Sequence, residues 1–238
     1  MNLAIDIGNT NTKIGLFEQD VFREVVTTER QLDKILREHK IENAIVSKTG
    51  SSSSILLKLR KAKAKPLVLS HELKLPIRIK YQTPNTLGAD RIAGAVAANA
   101  LFRNTPVLKI DFGTCITYDF VSHKNEYKGG AISPGMTMRF KALNNYTAKL
   151  PLVNPVKYKQ FELTGTDTNT SILSGVVNGI KHEVEGIIKQ YNQRYGTLKV
   201  VATGGDAAMF ATVMESEIFA RPYLVLEGLN TVLSYNLR

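Results

Sequence analysis

One design occurs twice in this chain, and it limits the fold more than any other feature. In LAIDIGNTNTKIGLF, residues 3–17, an apolar strand pattern runs into Asp6. It turns on small polar residues from Gly8 and leaves as a second apolar run. Residues 108–121, LKIDFGTCITYDFV, repeat the arrangement. Asp6, Gly8 and Thr12 correspond to Asp111, Gly113 and Thr117, each at an offset of 105 residues. Both copies end an apolar strand, and both open a half of the chain. At 238 residues the chain is long for one domain and short for two. Two small, similar halves, 1–105 and 106–238, are therefore expected.

The remaining periodicities fit that reading. Alternating runs predict strands over 3–7, 12–17 and 21–27. Leu32, Ile35 and Leu36 at helical spacing predict a helix over 29–38. A strand at 44–47, a helix continuing through 55–59 and a strand at 65–69 follow, then a Pro-rich segment and an apolar helix over 92–101. The pattern then restarts. Strands are expected at 107–110, 116–121 and 127–132, with a helix opening at Pro134, where proline is tolerated. Residues 147–161 read as irregular, 171–195 as a long helix and 198–202 as a strand. Residues 204–209 open another helix, and 222–236 close the chain as a helix. Three strands followed by alternating helix and strand, twice over, indicate an α/β or α+β fold with two similar halves.

Composition excludes several classes. The single cysteine, Cys115, permits no intramolecular disulfide and suits a reducing, cytoplasmic setting. No secretory leader pattern is present at the N-terminus, and no run of about 18 apolar residues predicts a membrane span. The net charge of +10 attracts polyanions. Its densest stretch, KLRKAKAK at 58–65, has no interleaved aromatic residue on which bases would stack, so nucleic acid is not expected as a partner. A basic surface also suits a small anionic substrate. His39, His71, His123 and His182 have no metal-ligand spacing, and Cys115 reads as a small buried residue rather than a nucleophile.

The paired turns carry the chemistry. A strand–turn–strand with glycine and small hydroxyl residues presents backbone N–H groups in a concave array, a nest for phosphate oxygens. Gly8 and Gly113 let a ligand approach the backbone. Thr10, Thr12, Thr114 and Thr117 add hydroxyl donors. Asp6 and Asp111 would repel phosphate unless a cation or water lies between, and Mg²⁺ binds through few carboxylates, waters and substrate phosphates. TGGD at 203–206 gives a third glycine turn between strand and helix. Neither a P-loop nor a dinucleotide fingerprint is present. In LGADRIAG, Asp90 at a helix start is placed to take a proton from an attacking hydroxyl, and Arg91 to hold an anionic group. The plain alternative is an N-cap aspartate beside a surface arginine.

Taken together, these motifs resemble type III pantothenate kinases, of the acetate and sugar kinase/Hsp70/actin superfamily. The resemblance rests on DIGNTNTK at 6–13, the tyrosine and GADR of YQTPNTLGADR at 81–91, and DFGT at 111–114. It extends through GGAISPG at 129–135, TAKLP at 147–151, GTDT at 165–168, TGGD at 203–206 and LEGLN at 226–230. It implies two ribonuclease-H-like halves of the actin-like ATPase fold, each a mixed sheet flanked by helices, with ATP between them. It implies transfer of the γ-phosphate to the primary hydroxyl of pantothenate, the first step of coenzyme A synthesis. By position, Asp6, Ile7, Gly8, Asn9, Thr10, Asn11, Thr12 and Lys13 form the first phosphate loop, and Thr114 is an ATP contact. Asp90 is the general base. Tyr81, Gly88, Ala89, Asp90 and Arg91 are pantothenate contacts, as is Thr168, chosen over Thr166 and Thr170 because it lies seven residues before Gly175. Asp111 is a ligand of a monovalent cation, K⁺ or NH₄⁺, and Asp6 holds Mg²⁺ through water. A homodimer that builds the pantothenate site at its interface is also implied.

The chain departs from the family pattern in places. SKTGSSSS at 47–54 lacks the expected Ser-Val-Val-Pro type of run, Cys115 stands where alanine is common, and the segment between the halves is short. Two other readings compete: a different small-molecule kinase or phosphatase of the superfamily, and a non-catalytic regulator using its basic surface on nucleic acid. Retention of Asp6, Asp90, Arg91 and Asp111 together argues for an enzyme.

Overall fold

A computed structural model describes residues 1–8, 11–48, 53–62, 64, 66–155 and 161–238. Three strands open the chain: β1 (Asn2–Ile7), β2 (Thr12–Glu18) and β3 (Val21–Val26). Helix α1 (Glu29–Glu38), β4 (Asn43–Lys48), α2 (Ser53–Lys61), β5 (Pro66–Val68), β6 (Arg78–Ile79) and α3 (Ala89–Leu101) follow. The pattern then begins again with β7 (Val107–Phe112), β8 (Cys115–Val121) and β9 (Glu126–Pro134). Next come α4 (Met136–Asn145), α5 (Thr168–Tyr195), β10 (Lys199–Thr203), α6 (Ala207–Val213), β11 (Phe219–Ala220) and α7 (Leu224–Asn236).

The first sheet is ordered β3-β2-β1-β4-β5 and the second β11-β10-β7-β8-β9-β6. Without β6, the second repeats the first strand for strand, so the duplication expected from the sequence is a duplication of topology. By contact density the chain forms two compact units. One comprises Met1–Lys109, Asp119–Gly130 and Tyr223–Arg238; the other comprises Ile110–Tyr118 and Ala131–Pro222.

In the first unit β1 is central, antiparallel to β2 and parallel to β4. A central strand is covered on both faces, which is why NLAIDI is almost continuously buried. Leu3, Ile5 and Ile7 share one face and pack with Leu32 and Ile35 of α1 and Ile55 and Leu59 of α2. Asn2, Ala4 and Asp6 share the other face by the two-residue period of a strand. On that side α7 packs against β1, β2, β4 and α3, and the Asn2 amide donates to Asn230 Oδ1 at 3.5 Å. Helix α1 starts where the sequence puts it because Thr28 and Gln31 form a reciprocal capping box.

The second unit is built around α5, a helix of 28 residues. It starts one turn earlier than expected, at Thr168, because the Asp167 carboxylate caps the backbone N–H groups of Asn169 and Thr170. Pro134 does not open a helix. It ends β9, Gly135 occupies the N-cap, and α4 begins at Met136. The apolar alternation of 127–132 simply continues, and proline is tolerated at a strand end. Phe112 at the end of β7 stacks on Phe210 of α6, with centroids 4.9 Å apart. No helix among the described residues is long and apolar enough to cross a membrane.

Candidate active site

The first turn joins β1 to β2. Its backbone closes through Gly8 N–H donating to Asn11 O at 3.1 Å. A side chain at Gly8 would press on that same carbonyl, at 3.1 Å. Ile7 pairs with Thr12, and Asp6 lies directly opposite Lys13 in the ladder. A carboxylate and an ammonium thus flank the turn from facing strands. Asn9 and Thr10 lie outside the described residues.

The same unit holds residues 81–91. A short 3₁₀ turn, Pro84–Thr86, leads to Gly88, the N-cap of α3. Asp90 is therefore not the cap but a first-turn residue, half-buried. The carboxylate folds back over Gly88: a Cβ there would lie 2.5 Å from Asp90 Oδ1. Glycine at 88 keeps that space clear. Arg91 is buried, and its Nε donates to Asp119 Oδ1 at 2.7 Å. Burial works against the guanidinium charge, but Asp119 and then Tyr127 outweigh it and hold its pKa above the ordinary value. The Tyr81 ring lies 6.1 Å from that of Tyr127 and against Gly129, where a Cβ would sit 3.4 Å from the ring.

In the second unit the turn after β7 is backed on two sides. Gly113 N–H donates to Cys115 O at 3.1 Å, and Gly135 N–H to Thr114 O at 3.1 Å. A side chain at Gly135 would collide with Gly113 O at 2.3 Å. From the other side comes TGGD. Gly204 has φ +98°, which glycine alone adopts at little cost. A Cβ there would lie 2.5 Å from the Phe112 carbonyl and 2.6 Å from Asp111 Oδ1. Asp206 N–H donates to Phe112 O at 3.1 Å, and burial raises the pKa of its carboxyl. Asp111, Gly113, Thr114, Gly135 and the TGGD turn thus form one close-packed backbone array, with Thr114 exposed at its surface.

Thr168 lies elsewhere in that unit. It is the first residue of α5 and lines a cavity of about 490 Å³ with Leu143, Leu150, Ser171, Ile172 and Gly175. The neighbouring Thr170 hydroxyl is engaged in the helix cap, accepting from the N–H groups of Thr166 and Asp167 at 3.0 Å each.

Sequence reading missed the residues that hold these groups in place. Asp119, Lys109 and Tyr127 surround Arg91, and Glu183, Arg139 and Ser133 brace the 133–135 segment. A signal existed for the first set: a lone lysine in VLKID and a second acid in ITYDFV interrupt strands that are otherwise apolar. The second set joins residues 50 positions apart and left no local trace.

Among the described residues no group of three His, Cys, Asp or Glu is placed to hold a metal alone. Mg²⁺ takes one or two carboxylates and fills the rest of its shell with water and substrate phosphates, and Asp6 beside the first turn is a carboxylate that could serve it. Asp111 Oδ1 and the Phe112 carbonyl both lie beside Gly204, two oxygens that could serve a bound cation.

The two sheets of like strand order, each with a glycine turn at the end of a central strand, have the actin-like and sugar-kinase fold. Solved structures of similar fold include a Baf family protein from Campylobacter jejuni, at 21% identity and TM-score 0.63 over 99% of this chain and 98% of that one. Another is glucokinase from an Antarctic psychrotroph, at 12% identity and TM-score 0.55 over 98% of each chain. The chain belongs to the type III pantothenate kinase family, whose model matches residues 2–190. It is 42% identical over 241 residues to the type III pantothenate kinase of Bacteroides fragilis strain YCH46, covering 99% of this chain and 98% of the relative. It is 40% identical over 238 residues to that of Cytophaga hutchinsonii, covering 99% and 100%.

Proposed function

We propose that this chain phosphorylates the primary hydroxyl of pantothenate with ATP, giving 4′-phosphopantothenate and ADP, with Asp90 as the general base. The observation that carries this reading is the first turn of α3 in a chain of this family: Asp90 folds over Gly88, and Arg91 beside it is locked on Asp119. Asp90 accepts the hydroxyl proton as the new oxygen–phosphorus bond forms and the bond to the ADP oxygen breaks. Arg91 and Tyr81 hold the acceptor.

Phosphoryl transfer is mainly positioning and charge stabilisation. Backbone N–H groups of the first turn, with Lys13, hold phosphate oxygens, and Thr114 adds a hydroxyl from the second turn. Asp6 is the residue for Mg²⁺ through water, and Asp111 for K⁺ or NH₄⁺; bound cations would offset the phosphate charge. Thr168 completes the pantothenate site from a second subunit of a homodimer. Its place on the wall of an apolar cavity supports that role, as does the engagement of Thr170 in the helix cap. Exposed Tyr146, Leu152 and Leu163 in the same unit give the dimer apolar surface to cover.

The test is ADP release measured with and without pantothenate, in K⁺ and in Na⁺ buffers. Release that requires pantothenate, and that is fast only with K⁺ or NH₄⁺, is expected. Release indifferent to pantothenate would remove the acceptor assignment. Equal rates in Na⁺ alone would remove the cation role of Asp111.

A further inference from the structure

Arg91 is one member of a buried cluster drawn from α3 and three neighbouring strands. Asp119 of β8, Lys109 of β7 and Tyr127 of β9 are each 0% exposed. Asp119 Oδ1 accepts from Arg91 Nε at 2.7 Å and from Tyr127 Oη at 2.8 Å. Its Oδ2 accepts from Lys109 Nζ at 3.0 Å. One carboxylate therefore gathers two cations and a phenol from three other elements. Tyr127 remains the donor in its contact, because burial and then the Asp119 charge push its ionisation far upward.

The fold pays twice for this cluster. Buried ion pairs gain little over well-packed apolar residues of the same volume, because desolvation cancels much of the attraction. Helix α3 also carries Gly94 in its interior, where glycine is disfavoured relative to alanine. A Cβ at 94 would lie 2.9 Å from Lys109 Cε, so the glycine makes room for the lysine. Stability alone does not account for these costs. Fixing a guanidinium does: a carboxylate anchored by Lys109 and Tyr127 cannot swing, so Arg91 cannot either. Arg91 keeps only 7% of its surface exposed, which leaves a narrow approach along which donor direction decides whether an anion is held.

We propose that Asp119, anchored by Lys109 and Tyr127, is a positioning residue that sets the Arg91 guanidinium for the carboxylate of the acceptor. This rests on the reading that Arg91 holds pantothenate. Hydrogen bonds that orient a ligand-holding group are worth roughly 10- to 100-fold where they have been measured at metal sites, and a loss of that order is expected here.

The test uses the full chain and two acceptors: pantothenate, and pantothenyl alcohol, in which CH₂OH replaces the carboxylate. For Asp119→Asn, KM for pantothenate should rise by roughly 10-fold or more. KM for ATP and the much weaker use of pantothenyl alcohol should stay within about twofold, and adding Arg91→Gln should bring little further loss. A uniform loss across ATP and both acceptors would overturn the proposal in favour of a purely structural role. An unchanged KM for pantothenate in folded Asp119→Asn would also overturn it, provided Arg91→Gln alone raises that KM. An unchanged KM in Arg91→Gln would instead overturn the reading beneath it. Asp119→Asn removes a carboxylate that faces two buried cations, so Tyr127→Phe is read in parallel. It removes one hydrogen bond to Oδ1, and a selective rise in KM for pantothenate of a few-fold is expected. No selectivity between the two acceptors in Tyr127→Phe would count against the anchor.

Discussion

At the scale of single residues, Asp90 separates chemistry from architecture cleanly. It is not the N-cap of α3, a place taken by Gly88. Its negative charge in the first turn is worth about 0.3–1 kcal/mol against the helix dipole. Asp90→Asn keeps the shape and removes the proposed base. Turnover should fall by roughly 10²–10⁴-fold, the usual worth of a positioned general base, while ATP affinity and thermal stability barely move. Steady-state kinetics and a thermal melt check this together; near wild-type turnover would dismiss Asp90 as the base. Candidates of this kind can be proposed from sequence because they stand in short contiguous motifs, GADR and DIGNTNTK. Lys109 and Asp119 were less legible. Each is a single polar interruption in an apolar strand, and only the fold shows that the two meet.

Among elements, the bracing of the second turn depends on contacts between β9, α4 and α5. Glu183 of α5 accepts from Tyr118 Oη at 2.8 Å and from Ser133 Oγ at 3.1 Å, and it is ion-paired with Arg139. Arg139 in turn donates from Nε to Pro134 O at 2.8 Å. The segment these bonds fix, 133–135, is the one that seats Gly135 against the carbonyls of Gly113 and Thr114. Glu183→Gln loses the ion pair and weakens two hydrogen bonds. Stability should drop by about 1.5–3 kcal/mol, the scale for hydrogen bonds to a charged group, by denaturant titration. KM for ATP should rise several-fold with KM for pantothenate little changed. A variant with unaltered KM for ATP would show that the segment keeps its seat without the clamp. Sequence periodicity found α5 but not its first turn, because Asp167 sets that boundary through a cap rather than through an apolar stripe. Pro134 misled for a related reason: its preference for a first helical turn yielded to continuation of β9. Strands β6 and β11 have two residues each, too short for any period to register.

Across the whole molecule, the repeat was legible because it lies in strand order, which follows from which apolar runs adjoin which turns. The return of α7 to cover β1, β2 and β4 was not, since no local period encodes a partner some 220 residues away. Stability against pH sums over the chain in the same way. For Glu183 burial opposes ionisation, but Arg139, Tyr118 and Ser133 together outweigh it and lower its pKa. For Glu185 burial is likewise outweighed, by Ser216 and backbone N–H groups. A carboxyl with a lowered folded pKa contributes stability above its unfolded value, about 4.3 for Glu, and loses it as pH falls through the folded value. Glu29, Glu126 and Asp167 are also lowered, by Ser54, Lys128 and the Thr170 N–H respectively, but solvent screening makes exposed groups minor. Asp206, raised by burial, pulls the other way and softens the acid limb. On the alkaline side burial raises the phenols Tyr118 and Tyr127. The folded chain then keeps protons that the unfolded chain releases above about pH 10, so stability falls there too. The expected melting profile is a plateau from about pH 5 to 9, with a decline below about 4 and another above about 10. Glu183→Gln should lower the plateau and flatten the acid limb. A melting temperature that rises between pH 4 and pH 3 would mean that Asp206 outweighs Glu183 and Glu185 combined, and that the clamp on α5 carries little of the fold's acid sensitivity.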